Sequence, residues 1–379
     1  MKKLLMSAFI GSSNLGDQAI FTAITQQIKK HPDIAVTAFT LDRSKHHDGN
    51  VIRYIETKNP FTIINEIHRC DLLIIGGGGI IQDETTIYNL LRHTYKALIA
   101  IFLGKKYMFY AVGVSELTSG FNKILARFVL DRAVAITVRD EESKNNVRRL
   151  GVSQDVTVTA DPAVNLRVKR KHLPDPSKAF IVVCLRHWFD INRYIPVAAI
   201  KKLHLRSSEN QRKYRLFIKT IAACLDWIVE TYNYKIVFIP LFDMRDDKVH
   251  NAVLEEMSQS AGCVNIKPQL SIQDTISLIA DSEFVIGMRL HSIIFAAQQH
   301  TPFLALNYAQ KVTNFLGGLS LKYYGIDLKR ISLFEFKKRF TVLHKNRRKI
   351  QFVLKREMRI LQRKEKKNHE IFTQTLWEH

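Results

Sequence analysis

The sequence predicts an α/β protein of two facing, doubly wound parallel sheets, and three observations predict it. Short, uniformly apolar runs such as Leu72-Leu73-Ile74-Ile75 and Phe180-Ile181-Val182-Val183 have the composition of strands buried on both faces. These runs alternate with stretches of helical period, the order that gives a parallel sheet covered by helices. The alternation breaks once, at Lys169-Arg170-Lys171-His172-Leu173-Pro174-Asp175-Pro176, and then restarts, which marks a domain boundary.

In chain order, Lys3 to Ile10 reads as a strand, and a Gly/Ser/Asn turn separates it from a helix over Gln18 to Lys30 with apolar residues at Ile20, Ala23, Ile24 and Ile28. Strands follow at Ala35 to Thr40 and Asp71 to Ile75, the latter ended by Gly76-Gly77-Gly78-Gly79. A helix over Ile87 to Phe102, strands at Tyr107 to Val112 and Ala133 to Val138, and a helix over Glu141 to Leu150 complete a first domain, 1–172. The second domain, 173–328, has strands at Phe180 to Leu185, Lys235 to Pro240, Glu283 to Ile286 and Pro302 to Leu306. Its helices lie over Leu216 to Thr231, Val249 to Gln259 and Ile272 to Ala280. The basic segment Asn192 to Lys213 reads as a mobile excursion near the cleft. The remainder, 329–379, is a basic helical segment in which Ile350, Val353, Leu354, Met358 and Leu361 form an apolar stripe, suited to a membrane surface or to packing on the two domains.

At 379 residues the chain has room for two cores, and 46% hydrophobic with 24% charged residues is the composition of a soluble globular protein. No apolar run reaches the length of a membrane span, and the apolar start reads as a first strand, which predicts a cytoplasmic protein. Four scattered cysteines offer neither a disulfide framework nor zinc spacing. The net charge of +22 calls for an anionic neighbour, and residues 329–367 concentrate it, with sixteen Lys and Arg against three Glu. An anionic membrane fits this better than nucleic acid, because no helix-turn-helix, zinc-finger, RNP or KH signature is present.

The chemistry is expected at Gly287-Met288-Arg289-Leu290-His291-Ser292. A β-prone run precedes it and a helix-prone run follows, so Arg289 and His291 sit on a strand-to-helix turn, where helix N-termini offer free N–H groups to anions. An arginine and a histidine there suit an anionic substrate and a proton to move. The competing reading is that Arg289 pairs with a carboxylate and His291 is a satisfied, buried histidine. Arg186 mirrors Arg289 at the end of the second domain's first strand, and two converging arginines suit a compound bearing carboxylate and phosphate. The alternative for Arg186 is a surface or interdomain ion pair.

Two glycine-containing turns at neighbouring strand ends face the same cleft. In the Gly76 to Asp83 turn, Gly77 and Gly78 let backbone approach a ligand. Ile81 stands where a dinucleotide fingerprint needs its third small residue, and no Gly-Lys-Ser/Thr follows. Asp83 suits a sugar hydroxyl or acid/base work, or equally a helix cap. In Gly11-Ser12-Ser13-Asn14-Leu15-Gly16-Asp17, Asn14 and Asp17 are candidate sugar contacts, although Asp17 by itself is most simply an N-cap.

Together, Asn14-Leu15-Gly16-Asp17, Gly76 to Gly79 with Gln82-Asp83, Val138-Arg139-Asp140 with Ser143 and Leu150-Gly151, Ala160-Asp161-Pro162-Ala163 and Gly287 to His291 resemble the polysaccharide pyruvyl transferase family over about residues 4–316. The resemblance implies a GT-B-like fold. It also implies transfer of the pyruvyl group of phosphoenolpyruvate to sugar hydroxyls as a ketal, with Arg289, Leu290 and His291 binding phosphoenolpyruvate and Arg186 as a second anion contact. The N-terminus of the helix containing Ser292 would share that anion. His291 is the first choice for proton transfer, since imidazole titrates near neutral pH. Asp83 is a second catalytic candidate; with Asn14, Asp17, Gly77 and Gly78 it belongs to the acceptor side. Such a reaction needs an acid and a base but neither metal nor cofactor. The acceptor implied is a cell-surface polysaccharide or its lipid-linked precursor, in exopolysaccharide and cell-envelope biosynthesis. Residues 329–379 would then hold the protein on the inner face of the plasma membrane. One departure stands out: the chain has Tyr308-Ala309-Gln310-Lys311-Val312 where the family usually shows Tyr-Asp-Pro-Lys-Val. Two rival readings are a GT-B-type glycosyltransferase using a nucleotide sugar and a catalytically silent glycan-binding or scaffold member.

Overall fold

A computed structural model of the chain describes residues 1–8, 10–42, 53–84, 86–171, 179–188, 207–266 and 270–378, with the backbone alone at 243 and 244. In the first domain β1 (Lys2–Ser7), α1 (Leu15–Ile28), β2 (Ile34–Thr40), β3 (Arg53–Glu56), α2 (Pro60–Arg69), β4 (Leu72–Ile81) and α3 (Asn89–Phe102) come first. They are followed by β5 (Tyr107–Val114), α4 (Gly120–Leu130), β6 (Ala135–Val138), α5 (Glu141–Arg149) and β7 (Val156–Val158). The strands form one parallel sheet in the order β3-β2-β1-β4-β5-β6-β7. Leu4 and Met6 face one side of it and Leu5 the other, and each side carries its own apolar cluster.

The second domain begins with β8 (Phe180–Cys184), α6 (Ser208–Tyr232), β9 (Lys235–Phe238), α7 (Asp243–Glu256), β10 (Val264–Asn265) and α8 (Ile272–Asp281). It continues through β11 (Phe284–Gly287), α9 (Leu290–Gln298), β12 (Phe303–Asn307), α10 (Gln310–Gly318) and β13 (Gly325–Asp327). Its parallel sheet has the order β10-β9-β8-β11-β12-β13. Strand order reverses between β1 and β4 in the first sheet and between β8 and β11 in the second. Crevices open at such reversals, and the loops after these four strands are the ones singled out by the sequence. The two crevices meet: Asn14 forms an isolated antiparallel bridge with Phe242, and the Leu15 N–H donates to the Leu241 carbonyl at 2.9 Å.

Several expectations are corrected. The four glycines do not end β4. Gly77 and Gly78 take φ of +75° and +102°, and the strand bulges there before pairing again with β5 through Ile81 and Val114. Helix α6 begins at Ser208, capped by Ser207, eight residues before the expected Leu216. The expected excursion therefore ends in a helix from 208 onward, and its part before 207, like the boundary stretch from 172, lies outside the described residues.

For the basic segment, the packing alternative is the one observed. Helices α11 (Leu333–Lys345) and α12 (Arg347–Trp377) bury Phe336, Phe340, Leu343, Ile350, Leu354, Met358, Phe372 and Leu376. The apolar stripe is used for packing, and cations are left on the outer face. Helix α12 crosses back to the first domain: Asn368 accepts from the Thr137 and Thr159 hydroxyls at 2.6 and 2.8 Å and donates to the Ala160 carbonyl at 3.2 Å. No described helix is long and apolar enough to cross a membrane.

Candidate active site

Arg289 stands at the residue before α9, at the end of β11, and its guanidinium is committed to a carboxylate. Nε and Nη2 fork onto Asp246 of α7 at 2.5 and 2.6 Å, and Asp246, fully buried, also accepts from the Phe242 N–H at 2.9 Å. Burial works against the Arg289 charge, but Asp246 more than offsets it and raises the pKa. The carboxylate reading of Arg289 was therefore right about its partner. Two of its five N–H groups are used, and the other three meet no protein acceptor among the described residues.

Arg186 follows β8. The preceding Leu185 N–H donates to His250 Nε2 at 3.0 Å, and burial brings His250 down to about 4, so this imidazole is neutral at physiological pH. The Arg186 guanidinium lies 4.4 Å from the Tyr308 ring centroid and 5.3 Å from that of Trp188, and its Nε has no hydrogen-bond partner among the described residues. No ion pair of Arg186 is formed among the described residues. Burial pushes the Tyr308 phenol up, but Lys311, Arg186 and Arg289 outweigh it and bring the phenol down to about 7.

His291, in the first turn of α9, reaches across to the first domain. Its Nε2 is 3.8 Å from Asp161 Oδ2, in Coulomb contact but too far for a hydrogen bond, and has no other partner among the described residues. Its other edge packs on Gly16, where a Cβ would lie 2.0 Å from Nδ1. Asp161 caps the turn Pro162–Asn165 by accepting from the Ala163 N–H at 3.1 Å, and pairs with Arg139 Nη1 at 3.3 Å. Burial raises the Asp161 carboxyl, but His291, Arg139 and the Ala163 N–H together hold it below its ordinary value. Arg139 stands at the end of β6 and fills the space a side chain at Gly113 would need, with Nε and Nη2 2.7 Å from the Cβ position.

Asp17 faces the same junction. The N-cap of α1 is Asn14, whose Oδ1 accepts from the Gly16 N–H at 3.1 Å, so the capping expectation for Asp17 is corrected. Asp17 accepts from Asn14 Nδ2 at 2.7 Å and the Ser12 hydroxyl at 3.3 Å. Burial raises its carboxyl, an effect that His291, Asn14 and Lys311 only partly offset. Lys311, in the first turn of α10, lines a cavity of about 260 Å³ together with Asp17, Gly77 and Gly78.

Three expectations fare differently. Asp83 is 3% exposed, and its carboxylate accepts from the Thr118 N–H and hydroxyl, the Ser119 N–H and Asn122 Nδ2. It ties the loop that starts α4, which replaces acid/base work with positioning. Ser292 is fully buried, and its hydroxyl donates to the Arg289 carbonyl at 2.5 Å, so its one proton is not available to an anion. The Leu290 side chain is buried as well, but it lines a cavity together with Arg139, Asp161 and Lys311.

Arg139, Asp161 and Lys311 lie within the sequence motifs, but no local residue pattern marks a role for them. Each follows a strand end of one of the two sheets, the position from which a role could have been argued. Among the described residues no group of three or more His, Cys, Asp or Glu is arranged to hold a metal ion.

A family model described as polysaccharide pyruvyl transferase matches residues 14–310. Among solved structures, the UDP-GlcNAc 2-epimerase from Neisseria meningitidis bound to UDP-GlcNAc is similar at 13% identity and TM-score 0.64, covering 100% of both chains. The UDP-GlcNAc 2-epimerase from Methanocaldococcus jannaschii matches at 15% identity and TM-score 0.60, covering 91% of this chain and 93% of that one. A glycosyltransferase from Rickettsia africae matches at 14% identity and TM-score 0.60, covering 100% and 99%. At such identities the likeness is one of fold, and the fold is GT-B-like.

Proposed function

The chain belongs to the polysaccharide pyruvyl transferase family, and from that premise we propose that it transfers the pyruvyl group of phosphoenolpyruvate to two hydroxyls of a sugar, forming a pyruvate ketal. The observation that carries this reading is the meeting of His291 and Lys311 from the second domain with Asp17, Arg139 and Asp161 from the first. An anionic co-substrate needs cations, and protonating its methylene carbon needs an acid opposite a base. All are supplied at one junction of two domains.

In this mechanism Arg186, Lys311 and the three unengaged N–H groups of Arg289 hold the carboxylate and phosphate. His291, as imidazolium steadied by Asp161, gives its proton to the methylene carbon, which becomes the methyl group. A sugar hydroxyl oxygen bonds to the cationic carbon and passes its proton to Asp17, whose raised pKa suits a base that must later release it. The bond from that carbon to the phosphate oxygen breaks, inorganic phosphate leaves, and the second hydroxyl closes the ketal with loss of its proton. One phosphoenolpyruvate and one diol thus give one ketal and one phosphate, with no metal invoked.

The acceptor is a cell-surface polysaccharide or its lipid-linked precursor, made where the outward cations of α11 and α12 meet anionic lipid. The test is phosphate release from phosphoenolpyruvate with a panel of sugar and lipid-linked acceptors, with the product identified by mass. Acceptor-dependent release abolished by His291→Ala and Lys311→Ala supports the reading. Release of nucleoside diphosphate from a nucleotide sugar, with none from phosphoenolpyruvate, overturns it.

A further inference from the structure

The cavity that begins at Asp17 and Lys311 ends at three residues of α3: Arg92, His93 and Lys96. Lys96 is 8% exposed, yet it forms no ion pair or hydrogen bond among the described residues. Its Nζ rests instead against two rings, 4.4 Å from the Tyr95 centroid and 5.3 Å from that of Phe39. A buried ammonium without a carboxylate is costly and is rarely kept for structure. Burial, with the Arg92 charge adding to it, brings Lys96 down to about 8. A bound anion would reverse that shift. Among the described residues Asp17 is the only acidic one on the cavity wall, at the end nearer the second domain, and the wall between is Gly77, Gly78 and Gly79.

We propose that the Lys96 end of this cavity is an anion subsite that holds a phosphate attached to the acceptor sugar, with the sugar itself lying over the glycines toward Asp17. This rests on the reading of the first domain as the acceptor side. Phosphoenolpyruvate has its own cations on the second domain, at Arg186, Arg289 and Lys311, so Lys96 serves a second anion. The acceptor class is therefore a glycosyl phosphate or diphosphate. The volume of about 260 Å³ is below that of pockets for drug-sized ligands and suits one sugar unit with its phosphate. On the outer side of α3 and the neighbouring α4, Leu91, Phe102, Phe121, Ile124 and Phe128 are exposed, beside Lys123 and Arg132. An apolar face with cations next to a phosphate subsite suits a lipid carried on that phosphate.

The test is calorimetric titration of the full chain with inorganic pyrophosphate in saturating phosphoenolpyruvate, comparing wild type with Lys96→Met and Lys96→Gln. The expected result is at least tenfold weaker pyrophosphate binding in both variants with unchanged affinity for phosphoenolpyruvate. Both variants should also melt at higher temperature than wild type without ligand, because an unpaired buried charge has been removed. Farnesyl diphosphate binding more tightly than pyrophosphate assigns the subsite to a lipid-borne acceptor, and equal binding assigns it to a soluble sugar phosphate. Equal pyrophosphate binding by wild type and variants, or displacement of pyrophosphate by phosphoenolpyruvate, overturns the proposal. Lys96-dependent pyrophosphate binding in a protein that never binds phosphoenolpyruvate would sink pyruvyl transfer and leave the anion subsite standing.

Discussion

The imidazole of His291 occupies the space that a side chain at position 16 would need: a Cβ on Gly16 would lie 2.0 Å from Nδ1. Position 16 is glycine because a residue from the other domain lies against it. Gly16→Ala is expected to push the ring off Asp161 and lower kcat on the order of 100-fold, as misplacement of a reacting group by about 1 Å does, while the fold survives. Kinetics and circular dichroism of the purified variant check this, and a fully active Gly16→Ala enzyme would falsify the placement of His291 in the chemistry.

Asp246 is expected to matter through Arg289. Asp246→Ala leaves a buried guanidinium without its carboxylate and should cost about 3–5 kcal/mol, read by denaturant unfolding. Replacing both, as Asp246→Leu with Arg289→Met, should recover most of that stability and none of the activity. Equal stability of Asp246→Ala and wild type would show that the forked pair does not hold α7 to α9.

Glu365 of α12 titrates in the physiological range. Burial, aided by the Asp161 charge, raises it from 4.5 to about 7 against the pull of Asn165 and Asn368. A raised carboxyl favours the folded state below pH 4.5, and that advantage is lost as pH climbs through 7. Wild type and Glu365→Gln should therefore be close in stability at pH 5. By pH 8 wild type should fall behind by on the order of 2–3 kcal/mol. A gap that does not change between these two pH values rules the assignment out.

Tyr308 is expected to ionise near pH 7. An ultraviolet difference titration should show one tyrosine doing so, and the signal should be missing in Tyr308→Phe. The shift is downward, so its contribution to stability is present above pH 10 and fades as pH falls toward 7. Melting temperatures of the two proteins should diverge as pH rises from 7 to 10. A tyrosine spectrum with no transition below pH 9 contradicts the cation cluster around this phenol.

The strands that the sequence disclosed are those buried on both faces, because a uniform apolar run such as Leu72 to Ile75 needs no knowledge of its neighbours. Strand β3 was missed because Arg53 to Glu56 is an edge, half exposed and without a clear period. The helices α2 and α4 were missed too. Both are short, 10 and 11 residues, and carry exposed apolar residues such as Phe61, Phe121 and Ile124 beside their buried ones. At the site, the placement of His291 and Asp17 on strand-to-helix turns was legible. What the chain could not disclose was partnership. Asp246 lies 43 residues from Arg289 in sequence, and nothing local marks it as the acid that meets it. The same holds for Asp161, whose contact with His291 exists only once the two domains are joined.

The hydrogen bonds of Asn368 set an order of events during synthesis. All seven strands of the first sheet have been made by Val158, but the hydroxyls of Thr137 and Thr159 are closed by a residue 231 and 209 positions further along. On the ribosome the first domain therefore emerges before the side chain that ties Thr137 to Thr159 has been made. That tie forms only when α12 has been made and folds back over the first sheet.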